Sequence, residues 1–359
     1  MKICHITYDH TINYGSCLQA YALDEIMKRM GYDVALCNCS EFANKVKQAR
    51  IRNLPGTLLE HFFQGRSFRT FEKTKVCYTH LLHDDNPEDF SRLNTEYDAF
   101  VVGSDVVWNT TLNRKANYFY LGFTDKYKFS YAASFGKGEL NEADERLARQ
   151  FLPALDAISV REKSSAENAA RFTDKPIEIV QDPVLLLEKK DWLSLARKPQ
   201  RTKPYIFVYV TYLTDGVLQY VARLQEQTGL EAAWVTVRLK DMFRLKTFRY
   251  PSPEEWLGLL EGAEYIVTNS FHATAFSTIL HKNFSVFVPG DGRKGIGSRL
   301  YDFLEQFGLE NRIYSRCPEK PDISMPDFSI ADEKLPALKK KSMAFLRKNL
   351  EAAKKRAAV

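Results

Sequence analysis

The chain has 359 residues, 45% of them hydrophobic and 27% charged. At roughly 150 residues per domain this length suits two domains, and the proportions exclude disorder, collagen-like repeats and a small disulfide-stapled scaffold. The formal net charge is +6, and nine basic residues against three acidic ones over positions 331–359 account for all of it.

The opening MKICHITYDH reads as a strand over Lys2–Tyr8; with a single Lys and an apolar stretch broken by His5, it does not resemble a signal peptide. Asn13-Tyr14-Gly15-Ser16 is a turn. Leu18, Ala22, Ile26 and Met30 then share one face of a helix from about Cys17 to Met30, which Gly31 stops. A strand follows at Asp33–Cys39. The stretch from Asn44 to Thr79 mixes Lys and Arg with Leu and Phe. It suits either a solvated helix face or contact with a membrane surface or anionic partner. No nucleic-acid partner is expected, because no recognition motif accompanies the charge. His80-Leu-Leu-His83-Asp84-Asp85 reads as a polar loop, and no metal site is expected.

Further strands are predicted at Ala99–Val102, Phe129–Ala133, Ala157–Val160 and Glu178–Val180. The latter part of Glu188–Lys203, charged and carrying Pro199, reads as a linker. A second alternating set follows, with strands at Tyr205–Val210, Ala232–Val237, Tyr265–Thr268 and Phe284–Val288. Its helices fall near Asp215–Thr228, Pro253–Leu260, His272–Leu280 and Arg299–Phe307. A long basic helix near Asp332–Arg356 closes the chain, with Leu335, Leu338, Phe345, Leu346 and Leu350 close to one stripe. No apolar run approaches the ~18–20 residues that span a bilayer. The six cysteines follow no paired spacing and are expected to be reduced thiols of a cytoplasmic protein.

The alternation predicts an α/β fold of two Rossmann-like domains facing across a cleft, residues 1–190 and 204–330, followed by a basic amphipathic helix over 331–359. Such folds bind ligands at the carboxyl ends of their strands, so the residues just after each strand are the candidates. They are Asn13, Tyr14 and Gly15; Gly103, Ser104 and Asp105 with Trp108 and Asn109; Ser134 and Lys137; Arg161; Asp182; and Asn269, Ser270 and His272. His272 falls in the first turn of a helix, where free N–H groups and the helix dipole favour an anion. Arg161, at a strand end, suits bidentate binding of a carboxylate or phosphate. Gly290-Asp-Gly-Arg-Lys-Gly295 matches GxGxxG but is a poor dinucleotide signature. With Arg293, Lys294 and Arg299, it reads as a basic loop able to close over an anionic ligand.

The ordered set Asn13-Tyr14-Gly15, Gly103-Ser104-Asp105 with Trp108-Asn109, Ser159-Val160-Arg161-Glu162-Lys163, Gln181-Asp182-Pro183-Val184, Asn269-Ser270-Phe271-His272 and Arg299-Leu-Tyr-Asp-Phe-Leu resembles the polysaccharide pyruvyl transferase family. The resemblance covers about residues 2–315. It implies a GT-B-like fold and transfer of a pyruvyl group from phosphoenolpyruvate (PEP) to two sugar hydroxyls, with release of phosphate, in capsular or other surface polysaccharide synthesis. It also implies that the first domain serves the acceptor and the second PEP. Some members have Arg-x-His where this chain has Ser270-Phe271-His272, so Arg161, Lys294 or Arg299 must supply the missing charge. Ketal formation needs an acid for the PEP methylene and a base for the sugar hydroxyls. His272 is the expected acid, and Asp105 or Asp182 the base; no cofactor and no metal are required. The expected acceptor is a lipid-diphosphate-linked sugar at the inner face of the cytoplasmic membrane, reached by peripheral contact with anionic lipid. The competing readings are a GT-B glycosyltransferase using a nucleotide sugar and a non-catalytic glycan-binding or assembly protein. Oligomeric state is not legible.

Overall fold

The computed structural model describes residues 1–8, 13–38, 67–83, 86–111, 116–201, 203–245, 247, 250–288 and 297–358. Strands β1 (Lys2–Ile6), β2 (Asp33–Asn38), β3 (Tyr78–Leu81), β4 (Ala99–Val102) and β5 (Tyr127–Ser130) form a parallel sheet in the order β3-β2-β1-β4-β5. Bridges from Phe129 to Ala157 and from Ala133 to Val160 carry this sheet on to the parallel pair β6 (Ile158–Val160) and β7 (Ile177–Ile179). A second parallel sheet comprises β8 (Tyr205–Val210), β9 (Glu231–Thr236), β10 (Tyr265–Thr268), β11 (Phe284–Phe287) and β12 (Ile313–Tyr314), in the order β12-β11-β10-β8-β9. Every residue of β4, β8 and β10 is buried. Runs such as AFVV and YIFVYV are what strands covered on both faces require.

Each sheet reverses its winding at one point, between β1 and β4 in the first and between β8 and β10 in the second. In open parallel sheets such reversals are where crevices form, beyond the carboxyl ends of the strands.

The helices that position the site are α1 (Tyr14–Arg29), α2 (Lys163–Ala169), α3 (Pro253–Glu261), α4 (Phe271–Ile279), α5 (Ser298–Gln306) and α6 (Ser329–Ala357). Asn13 caps α1 by accepting the Gly15 N–H at 3.0 Å, so this helix starts three residues before its expected position. Ser252 and Glu255 form a capping box at α3, with Pro253 in the first turn. Ser270 caps α4.

Between the two sheets, the Tyr14 ring of α1 stacks on Trp256 of α3, centroids 5.3 Å apart, and meets Tyr209 edge-on at 5.5 Å. Its hydroxyl donates to the Pro251 carbonyl at 3.0 Å. Trp192 stands edge-on to Phe276 of α4 at 4.8 Å. Helix α6 then leads the chain back to the first sheet. Phe345 packs 6.4 Å from the rings of both Phe129 and Tyr131. The Tyr127 hydroxyl donates to Asn349 at 2.9 Å, and the Gln181 N–H donates to Ser342 Oγ at 2.9 Å. Leu346 and Leu350 are buried while Leu335 and Leu338 are half-buried, so the apolar stripe is an internal surface. The opposite face of α6 exposes Lys340, Lys341, Arg347, Lys348, Lys354 and Lys355. Among the described residues, no helix is long and apolar enough to cross a membrane.

Candidate active site

The site is built where β4, β6, β7 and β10 end. Gly103 follows β4 with φ of 120°, and a Cβ there would run into the Tyr131 carbonyl, so only glycine fits. The loop it opens is tied down from both sides. The Ser104 N–H donates to Gln19 Oε1 at 3.1 Å, the Thr7 hydroxyl donates to the Ser104 carbonyl at 2.9 Å, and the His5 ring bridges Asp24 Oδ1 (2.7 Å) and the Gly103 carbonyl. Asp105, held at a φ of 69°, accepts the Ser16 hydroxyl at 2.8 Å.

Arg161 follows β6 and is buried, with its guanidinium 4.3 Å from the centre of the Phe271 ring. Its Nη1 lies 2.8 Å from Asp182 Oδ2 and 3.6 Å from Asp105 Oδ1, while Nε donates to Glu162 Oε2 at 3.3 Å. Asp182 Oδ2 also accepts the Ser104 hydroxyl at 3.1 Å, and Oδ1 accepts the Val184 N–H at 3.1 Å. Burial would push the Asp182 carboxyl up, but His272 and Arg161 outweigh it and hold the group well below the ordinary carboxylate range. Burial likewise opposes ionisation of Asp105, and His272, Arg161, Arg299 and the Ser16 hydroxyl together bring it below its usual value.

His272, in the first turn of α4, places Nε2 3.4 Å from Asp182 Oδ2. That is ion-pair range, and the nitrogen makes no hydrogen bond among the described residues. The ring fits because position 15 is glycine: a Cβ on Gly15 would fall inside the imidazole. The first turns of α1 and α4, from opposite sheets, thus meet at this pair.

Beside the cluster lies a pocket of about 170 Å³ whose walls include Arg161, Lys163, Asp182, Arg299 and Asp302. His272 and Asp105 are not among its walls and adjoin it through Arg161 and Asp182. Arg161 Nη2 and Arg299 Nε are buried without a partner among the described residues. Burial and the neighbouring Arg161 push the Arg299 guanidinium below its ordinary value. Two cations are therefore driven together from opposite halves of the chain, and an anion between them would relieve the repulsion.

Of the other expected residues, Ser104 lies in the cluster. Ser134 donates to Glu162, and Asn13 and Ser270 serve as helix caps. Asn269 braces the second reversal, accepting the Thr211 N–H at 2.7 Å and donating to the Tyr212 carbonyl at 2.8 Å. Four expected residues have other partners among the described residues. Tyr14 does not face a ligand but is buried between the two sheets. Trp108 is also fully buried, stacked on Tyr120 with its indole N–H donated to the Phe119 carbonyl at 3.1 Å. Lys137 is paired with Asp144, and Asn109 braces its own loop through the Phe135 carbonyl. A large aromatic after a strand reads the same in sequence whether it lines a cleft or fills a core. Lys294 and the glycine-rich loop lie outside the described residues, as do Asp84 and Asp85. His80 sits on β3 facing Glu96 rather than in a loop, and His83 pairs with Asp89. Sequence reasoning gave no role to Asp302, though it lies within Arg299-Leu-Tyr-Asp-Phe-Leu and three residues after Arg299, about one turn along the helix.

A family model described as polysaccharide pyruvyl transferase matches residues 13–291. The chain belongs to this family. Its members are transferases, and the two-sheet architecture is of the GT-B type. A UDP-N-acetylglucosamine 2-epimerase from Rickettsia bellii shares the fold at a TM-score of 0.56 and 13% identity, over 99% of this chain and 97% of that one. The UDP-GlcNAc 2-epimerase from Methanocaldococcus jannaschii does so at 0.52 and 11%, over 94% and 91%. No curated protein matches the sequence. For a pyruvyl transferase of this fold, the meeting of α1 and α4 lies where the two halves face each other.

Proposed function

We propose that this pyruvyl transferase takes its pyruvyl group from PEP and joins it as a ketal to two hydroxyls of a sugar, releasing phosphate. The observation that carries the reading is the pair Arg161 and Arg299, each with a buried N–H unpartnered among the described residues and each bordering one pocket. PEP bears a phosphate and a carboxylate, which such a pair can hold from either side. The N-terminus of α4 adds a partial positive charge. His272, within reach of Asp182, is suited to protonate the methylene carbon, and Asp182 is suited to orient the imidazole. Ser104 and Asp105 stand on the acceptor side.

The acceptor proposed is a lipid-diphosphate-linked sugar, in capsule or other surface polysaccharide synthesis, met at the inner face of the cytoplasmic membrane. Support comes from the six exposed Lys and Arg side chains on the outer face of α6, which with Lys334 and Arg356 make eight on the helix and suit anionic lipid at ~1 kcal/mol each near the surface.

The reading is tested by calorimetry of PEP binding, followed by mass spectrometry of candidate lipid-linked sugars after incubation with PEP. A product heavier by pyruvate less water is expected. No PEP binding, or release of a nucleoside diphosphate from a sugar donor, would sink it.

A further inference from the structure

Four carboxyl groups surround the pocket and its adjoining cluster: Asp105, Glu162, Asp182 and Asp302. Three of them pair with Arg161 and take at least one further donor. Asp182 takes Arg161 and Ser104 on one oxygen and the Val184 N–H on the other. Asp105 takes the Ser16 hydroxyl and faces Arg161. Glu162 takes Ser134 and Ser165 on one oxygen and Arg161 on the other. For Asp105 and Asp182, the nearby cations and donors favour the ionised form and make each a poor acceptor of a further proton.

Asp302 makes no ion pair with Arg161 among the described residues. It projects from α5, three residues after Arg299, into the wall of the same pocket. The Ser164 N–H is near enough to favour its ionised form, yet its Oδ2 is buried with no partner among the described residues, and the Ser164 hydroxyl also has none. Burial pushes its carboxyl up, helped by Glu162, Glu305 and Glu167 and opposed by the Ser164 N–H. Arg299 on its own helix, Lys163 on α2 and Arg161 after β6 are the cations that border the same pocket. A carboxyl moved toward working pH is better matched to proton transfer.

We propose that Asp302, rather than Asp105 or Asp182, is the base that takes the proton of the acceptor hydroxyl. This rests on the PEP-to-sugar reading. As the hydroxyl oxygen bonds to C2 of the donor, its proton passes to Asp302. When the bond between C2 and the phosphate oxygen breaks, the electron pair leaves with the phosphate, which takes that proton. The methylene carbon receives its proton from His272, and the second hydroxyl restores it as the ketal closes. Two hydroxyl protons thus end on the methyl group and the phosphate, with no oxidant or reductant.

The test compares the full-length protein with Asp302→Asn and Asp302→Glu. PEP binding is read by calorimetry, and phosphate release from PEP is followed with a panel of lipid-linked and nucleotide-linked sugars. The expected result is PEP affinity within about threefold in both variants. Turnover should fall ~10²-fold or more in Asp302→Asn and be partly kept in Asp302→Glu. Equal turnover in Asp302→Asn and wild type overturns the assignment, while absence of PEP binding to the wild type overturns the donor reading on which it rests. A second measurement needs no acceptor. The 13C carboxyl resonance lost in Asp302→Asn should titrate above the ordinary aspartate range in the wild type. Titration at or below that range overturns the proposal.

Discussion

Gly15 and His272 meet from opposite halves of the chain, and neither can change without the other noticing. Gly15→Ala puts a methyl where the imidazole lies, so the ring must turn out of reach of Asp182. A displacement near 1 Å costs ~10²-fold in turnover, and we expect that loss in kcat with a smaller change in PEP affinity. Arg161→Ala and His272→Ala should each lower turnover by a similar ~10²-fold or more; wild-type kinetics in both would remove them from the reaction. The carboxyl groups separate by the sign of their effect on stability. Folding lowers the Asp182 carboxyl, so its contribution is complete above the ordinary aspartate value near 3.9 and fades as pH falls through the lower folded value. Asp182→Asn leaves Arg161 buried with one partner fewer, a loss of ~3–5 kcal/mol at pH 7 that shrinks in acid. Folding raises the Asp302 carboxyl, so its neutral form is favoured and its ionisation is a burden that grows as pH rises through the folded value. Asp302→Asn should therefore be neutral or stabilising at pH 7. Urea melts of both variants at pH 7 and pH 3 check the contrast.

Helix α6 shows two faces with separate duties. Phe345→Ala or Leu350→Ala opens a cavity against buried neighbours and should cost ~2–5 kcal/mol by chemical denaturation. Exchanging exposed Lys340, Lys341, Lys348 and Lys355 for Gln should shift stability by less than ~0.5 kcal/mol each. The same exchange should abolish co-sedimentation with anionic liposomes at low salt; unchanged co-sedimentation would take the membrane contact away from this helix. The elements most legible in sequence were those whose period and caps agree. Tyr205–Val210, Asp215–Thr228 and Tyr265–Thr268 fall on their expected bounds. Strands β3 and β12, four and two residues long and only partly buried, carry too little period to announce themselves. Strand β5 ends at Ser130, short of the expected Ala133, where Ala132 adopts a φ of 49° and interrupts the extended run. In the site, polar residues after strands could be found one by one. What could not be read was which of them share a partner: Tyr14 and Trp108 look like ligand contacts until packing shows them covered on every side.

For the molecule as a whole, the two arginines that border the pocket stand in different halves. PEP held by both would tie the halves together, and a ligand that binds only the folded chain stabilises it by ~2.7 kcal/mol at a hundredfold excess over Kd. A rise in Tm with PEP is therefore expected, lost in Arg299→Ala and weakened by salt. No rise in the wild type would count against bridging.

The return of α6 to the first sheet also has a consequence in time. Phe129 and Tyr131 wait for Phe345, which is made roughly two hundred residues later. At ~5–20 residues per second, that interval is about 10–40 s. For that long, the side of Phe129 and Tyr131 that Phe345 covers stays open, and a chain cut short before Phe345 would not close it. Closure of the first sheet thus waits on a helix some two hundred residues further along the chain.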